Sequence, residues 1–195
     1  MTPLALRTFT GAAGLALPLC IVAGWSFSEV VLWFIVADVP ISWIAVRSGV
    51  RAGLLAALLA AACAMLGGAV TYFWAASDPA AFAAFLDAVP AISPEMMSEV
   101  ERAWRAEGFA GMLAGSFSGT PYKLFAAAAG EQGSALLPFL LASFAARLPR
   151  FLLVAVASAA VGALLARRVD LRGRAALLLA FWVAFYAWYF SVMSG

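Results

Sequence analysis

Five ionisable side chains stand inside otherwise apolar sequence: Glu29 and Asp38 in the first half of the chain, and Lys123, Arg147 and Arg150 in the second. A charge at the middle of a membrane helix costs about 2.5–3.5 kcal/mol on insertion scales, so such groups are usually retained for a use. Asp38 lies between Ile35-Val36-Ala37 and Val39-Pro40-Ile41, and Lys123, the chain's one lysine, follows Thr120-Pro121-Tyr122. A carboxyl at membrane depth can exchange a proton, and an ammonium or guanidinium can hold a phosphate. Plainer readings compete with these. Lys123 can snorkel to an interface, Arg147 and Arg150 can reach headgroups from a helix start, and Glu29 can occupy a turn.

The composition removes most other chemistry. Of 195 residues, 66% are apolar, 11% are charged and none is histidine, and the mean hydropathy is +1.00. A soluble domain is about 45–50% apolar and about 25% charged, so the chain reads as an integral membrane protein. Without histidine, His-based metal sites, Ser-His and Cys-His catalysis and imidazole switches are all closed. Ser116 and Ser118 lack both a histidine and the G-x-S-G spacing of an intramembrane protease, and no nucleotide loop is present. Neither enzymatic activity nor a cofactor is expected. The two cysteines, Cys20 and Cys63, sit in apolar runs as small apolar groups. A net charge of +2 is too small to imply a nucleic acid as partner.

A spanning helix needs about 20 apolar residues. Residues 50–76, 149–166 and 175–193 satisfy this without interruption. Residues 8–27 contain Pro18, and 30–46 contain Asp38 and Pro40, so both are candidates for broken or re-entrant helices. The N-terminal run is read as part of the mature chain, since Pro18 interrupts it and no A-x-A cleavage pattern follows. Residues 109–130 hold Gly111, Gly115, Gly119, Pro121 and Lys123, a content that argues against a straight lipid-exposed helix. Residues 134–168 would reach about 50 Å as one helix, against about 30 Å of hydrocarbon, so this stretch must bend or project. Arg147, Pro149 and Arg150 mark the expected break.

Between the halves, Asp78-Pro79 and Ser93-Pro94 each read as an N-cap followed by proline in the first helical position. The second of these helices carries Met97, Val100 and Trp104 on one face, and should lie on the membrane surface or cover the core. Arg47 with Arg51, and Arg167, Arg168, Arg172 and Arg174, form two basic connections that should both face the cytoplasm. Residues 77–108 then lie outside, 109–130 enter and leave from that side, and the last helix ends outside. Acids in one irregular segment and bases in another suggest two halves facing one another, as in an inverted-repeat transporter.

The fold expected is therefore an all-α integral membrane protein, with transmembrane helices and two facing re-entrant segments on an inverted-repeat plan. It forms a single membrane domain over 1–195. Its parts are a first half (1–76), an external amphipathic connection (77–108), a second re-entrant segment with a kinked span (109–166) and a final helix (175–194).

The run S-F-S-G-T-P-Y-K-L-F-A-A-A-A-G (residues 116–130), followed by L-L-P-F-L-L-A-S-F-A-A-R-L-P-R-F (residues 136–151), resembles the second conserved region of DedA-type membrane proteins. These are also called SNARE-associated or VTT-domain proteins, and the pattern is similar to that of the small YqaA-like branch. Phe117, Pro121, Tyr122, Lys123, Phe125, Gly130, Ser143, Arg147, Arg150 and Phe151 fall on its positions. Glu29 and Asp38 resemble the acid pair of the first region, although the prolines between them are absent and Gly119 replaces a proline in the second. The resemblance implies lipid traffic in a bacterial inner membrane. Phospholipid or polyprenyl-phosphate headgroups would be moved between leaflets, sometimes with proton coupling. Pro121, Tyr122, Lys123, Arg147 and Arg150 would contact the anionic headgroup, and Glu29 and Asp38 would exchange protons. Two other readings are transport of a small polar solute and a non-transporting scaffold for membrane-protein assembly. A homo-oligomer is compatible with the sequence, which does not set the oligomeric state.

Overall fold

The computed structural model describes residues 12–32, 35–89 and 92–193, and every regular element among them is an α-helix. In chain order these are α1 (Ala12–Val31), α2 (Asp38–Ser48), α3 (Val50–Ser77), α4 (Pro79–Asp87), α5 (Pro94–Glu107), α6 (Phe109–Ser118), α7 (Tyr122–Glu131), α8 (Leu136–Leu165) and α9 (Leu171–Met193). Four of them, α1, α3, α8 and α9, are long and apolar enough to cross a membrane. The protein is an all-α membrane protein.

The centre of the bundle is α3, whose inward positions are nearly all small: Ala52, Gly53, Ala56, Ala57, Ala60, Ala61, Ala64, Gly67, Gly68 and Ala75 are buried. Lipid tails are as apolar as the side chains they touch, so membrane helices associate by close packing, and small residues permit it. The helices α1, α2, α7 and α8 all lie against this surface. Interhelical bonds add to it, with Ser26 Oγ donating to the Ala60 carbonyl at 2.7 Å and Tyr72 Oη to the Ser134 carbonyl at 2.5 Å.

The two irregular segments are both helical, and neither helix of the second is long enough to span. At 1.5 Å per residue, α2 reaches about 16 Å, and α6 and α7 about 15 Å each, roughly half the hydrocarbon thickness. Gly119, in the left-handed region at φ 88°, ends α6, and Pro121 opens α7, so the chain reverses within three residues. The halves exchange these short helices: α2 packs along α8, and α7 along α3. Asp38 lies against Arg150, and Val46 against Gly162, so α2 runs parallel to α8. Tyr122 lies against Gly68, and Gly130 against Tyr72, so α7 runs parallel to α3. The reciprocity is what an inverted repeat requires.

Two proline expectations are corrected. Helix α1 continues through Pro18 to Val31, and Asp38 and Pro40 do not break a helix but lie in the first turn of α2. The expected break at Arg147–Arg150 is also absent, because α8 is helical without interruption from Leu136 through Pro149 to Leu165. Membrane helices tolerate an internal proline where neighbours re-satisfy the freed backbone. At about 45 Å, α8 projects beyond the hydrocarbon or tilts within it. Residues 1–11, 33–34, 90–91 and 194–195 of the expected segments lie outside the described residues.

Between the halves, Asp78 accepts from the Ala81 N–H and Ser93 Oγ from the Met96 N–H, the two N-caps expected from sequence. Helix α5 covers the core: Val100 is buried, and the Trp104 ring meets Phe139 edge-on while its indole N–H donates to Ser134 Oγ. The arginine-rich connections converge at the opposite end, where Arg174 Nη1 donates to the carbonyls of Val46 and Gly162. In a background lacking Cys20 and Cys63, cysteines introduced at Ser98 and Arg172 should label from opposite sides of the membrane. Cysteines at Ala110 and Gln132, at the two ends of the α6–α7 hairpin, should label from the same side. Opposite labelling of that pair would make the hairpin a span and end the paired architecture.

Candidate functional site

The interruption between α1 and α2 leaves backbone groups that nothing within the helices can satisfy, and at membrane depth each must find a partner. Three side chains supply them. Trp25 Nε1 donates to the Ile35 carbonyl at 2.8 Å, Tyr186 Oη accepts from the Val36 N–H at 2.8 Å, and Glu29 Oε2 accepts from the Ala37 N–H at 2.8 Å. Glu29 is thus a cap for the start of α2 and not merely a turn residue.

Its other oxygen, Oε1, accepts from Arg147 Nη2 at 2.8 Å, in a pair whose side chains are 9% and 10% exposed. The guanidinium also stands 4.8 Å from the Tyr122 ring centroid and 4.9 Å from that of Phe151, two cation–π contacts in a desolvated setting. Tyr122 fits there because Gly68 has no Cβ; one placed on it would collide with the phenol.

Arg150, one turn along α8, reaches both interruptions. Its Nε and Nη2 donate to Asp38 Oδ2 at 2.9 and 2.5 Å, while Nη1 donates to the Ser116 carbonyl at 2.7 Å. Ser116 lies in the last turn of α6, where a helix leaves its carbonyls unpaired. One guanidinium therefore joins the first residue of α2 to the last turn of α6. Asp38 Oδ1 is buried with no hydrogen-bond partner among the described residues.

Lys123, in the first turn of α7, is 2% exposed, and its Nζ lies 5.6 Å from the centroid of the Phe85 ring. It lines, with Glu29, Tyr122, Arg147 and Arg150, a cavity of about 80 Å3. That is room for several waters, given about 10–15 Å3 for one by the same measure. Phe185, Tyr186 and Tyr189 of α9 form part of its wall. Ser116, Gly119, Thr120, Arg150, Phe185 and Tyr189 also line an adjoining groove of about 450 Å3, which extends past Leu153 and Trp188 to Met96 on α5.

All five charged residues singled out by sequence are thus brought together, along with Pro121 and Tyr122. They lie at the level of the middle of α8, where Arg147 and Arg150 are the twelfth and fifteenth of 30 residues. This excludes headgroup-reaching arginines at a helix start. The arrangement also gives the arginines acid partners within the protein, so an anion bound here has to compete with Glu29 and Asp38. Sequence reasoning missed Tyr186, which holds the Val36 N–H, and Trp182, whose Nε1 donates to Ser42 Oγ at 3.1 Å. A signal existed: Trp182, Tyr186 and Tyr189 recur at spacings of four and three, placing three polar-tipped rings on one face of the last helix. The chain matches no family model, no curated protein and no solved structure.

Proposed function

We propose that the protein moves an anionic lipid headgroup between leaflets, as a translocase or scramblase of the bacterial cytoplasmic membrane, with proton exchange at Asp38. The observation that carries the reading is the small charged cavity where two helix interruptions meet, continuous with a groove between the α6–α7 turn, α8 and α9. A lipid crossing hydrocarbon needs a polar path for its head and an apolar one beside it for its tails, and the cavity and groove provide both chemistries. The cluster holds three cations and two acids, a balance that favours a phosphate. The resemblance of residues 116–151 and of Glu29 and Asp38 to DedA-type proteins of the YqaA-like branch supports the same conclusion.

The geometry suggests how binding and proton movement are linked. While Asp38 is ionised it holds Arg150; a proton on Asp38 cancels that attraction and releases the guanidinium to a phosphate. Loss of the proton draws the guanidinium back and expels the ligand. Lys123, in the cavity wall, adds a positive charge to the site.

Reconstituted in liposomes, the protein should flip fluorescent phospholipid. Lys123→Ala should lose most of that rate, about tenfold, as removal of a charged contact does, and Lys123→Arg should keep part of it. Asp38→Asn should abolish dependence on a pH gradient and spare lipid binding. Wild-type rates and pH dependence in both Lys123→Ala and Asp38→Asn would make these charges structural and overturn the mechanism. Uptake of a radiolabelled solute without lipid flipping would reassign the cargo, and neither activity would favour a scaffold.

A further inference from the structure

A second site lies at the basic end, sharing no lining residue with the charged cavity. Helices α8 and α9 are consecutive, joined by only the short connection from Ala166 to Asp170, yet α9 makes its backbone approach to α2 and leaves a crevice beside α8. The crevice measures about 290 Å3 and is lined by Val46, Ala157, Ser158, Val161, Leu165, Leu177, Leu178 and Phe181, with Arg174 among them. That approaches the lower end of ligand sites, about 300–1,000 Å3. Its outer lips face the bilayer, Val161 being 52%, Leu177 51% and Phe181 58% exposed.

The charge at its mouth indicates what fills it. Arg167, Arg168 and Arg172 are exposed on the connection and first turn, and Arg174 is half-buried. Arg174 spends Nη1 on two long bonds of 3.3 Å, and its Nε is buried with no hydrogen-bond partner among the described residues. The connection's one acid, Asp170, is engaged as a cap, accepting from the Gly173 N–H at 2.9 Å. Arg174 in the wall of an apolar slot, with the exposed Arg167 and Arg168 on the adjoining connection, matches an anionic lipid, and basic pockets between transmembrane helices bind such headgroups.

We propose that this crevice binds one anionic phospholipid of the leaflet at the basic end, an acyl chain filling the slot and the phosphate resting on Arg174 with its neighbours. The lipid then occupies the space between α8 and α9 and sets how α9 is held against the bundle.

Native mass spectrometry of the purified full-length protein, with phosphatidylglycerol or phosphatidylcholine added, tests this. One phosphatidylglycerol should be retained in preference to phosphatidylcholine. Arg174→Gln should weaken that retention about tenfold, and so should the exposed pair Arg167→Gln/Arg168→Gln. Val161→Trp, which fills the slot, should displace the lipid with the arginines intact, and Arg105→Gln on α5 should change nothing. Equal retention of the two lipids, or retention unaffected by both the arginine and the Val161 changes, would overturn the proposal. Loss in Lys123→Ala but not in Arg174→Gln would overturn it too, by placing the lipid in the charged cavity. Neither of those results decides whether the protein flips lipid.

Discussion

Arg150→Met is expected to lower stability by about 3–5 kcal/mol, the usual cost of removing one partner from a buried ion pair. The arginine side chain is 25% exposed and Asp38 3%, which favours the lower part of that range. The loss has two sources. Asp38 is left with no cation bonded to it, and the Ser116 carbonyl at the end of α6 loses its donor. Unfolding in mixed micelles, followed by the fluorescence of the seven tryptophans, would measure it. Adding Asp38→Asn should restore part of the stability, with a coupling of up to about 3 kcal/mol between contacting residues. Arg150→Lys should recover little, since one ammonium cannot reproduce the fork that bonds Asp38 and the Ser116 carbonyl together. A loss under about 1 kcal/mol would mean that the bridge behaves like an exposed pair.

Gly130→Ala should also be severe for so small a change. A Cβ at Gly130 would run into the carbonyl of Tyr72, and backbone of one helix cannot yield to backbone of another without separating them. Overpacking of this kind costs about 1–3 kcal/mol, sometimes more. The better helix propensity of alanine returns about 1 kcal/mol at most. Because α7 carries Lys123 in its first turn, the same substitution should reduce transport as α7 leaves α3. Gly24→Ala is the matched control: nothing lies within 4 Å of a Cβ there, so the change should be neutral or slightly stabilising. Equal effects at the two glycines would contradict the close approach of α7 to α3.

The charged residues were legible in the sequence because hydrocarbon makes ionisable groups conspicuous. Their partnerships were not, since Glu29 and Arg147 are 118 residues apart and no local pattern joins them. The α6–α7 hairpin could be read from Gly119 and Pro121, residues that act on their own backbone. Pro18 and Pro149 misled for the complementary reason: whether a proline interrupts a membrane helix is decided by its surroundings and not by the proline alone, and α1 and α8 both continue through theirs. Tyr186 escaped because a tyrosine near a membrane interface is ordinary, and its role depends on a free N–H 150 residues away.

The bond from Arg150 to Asp38 spans 112 residues, and the order of synthesis gives that distance a meaning in time. At about 5–20 residues per second, a ribosome needs roughly 6–22 seconds to travel from the acid to its guanidinium. Throughout that interval the first half has entered the insertion machinery with Glu29 and Asp38 and neither arginine. Its acid-bearing helices have to wait at the interface or in the shelter of the translocon until α8 emerges. Membrane residence of the first half is therefore conditional on the second, and a chain stopped before α8 is an orphan fit for quality-control proteolysis.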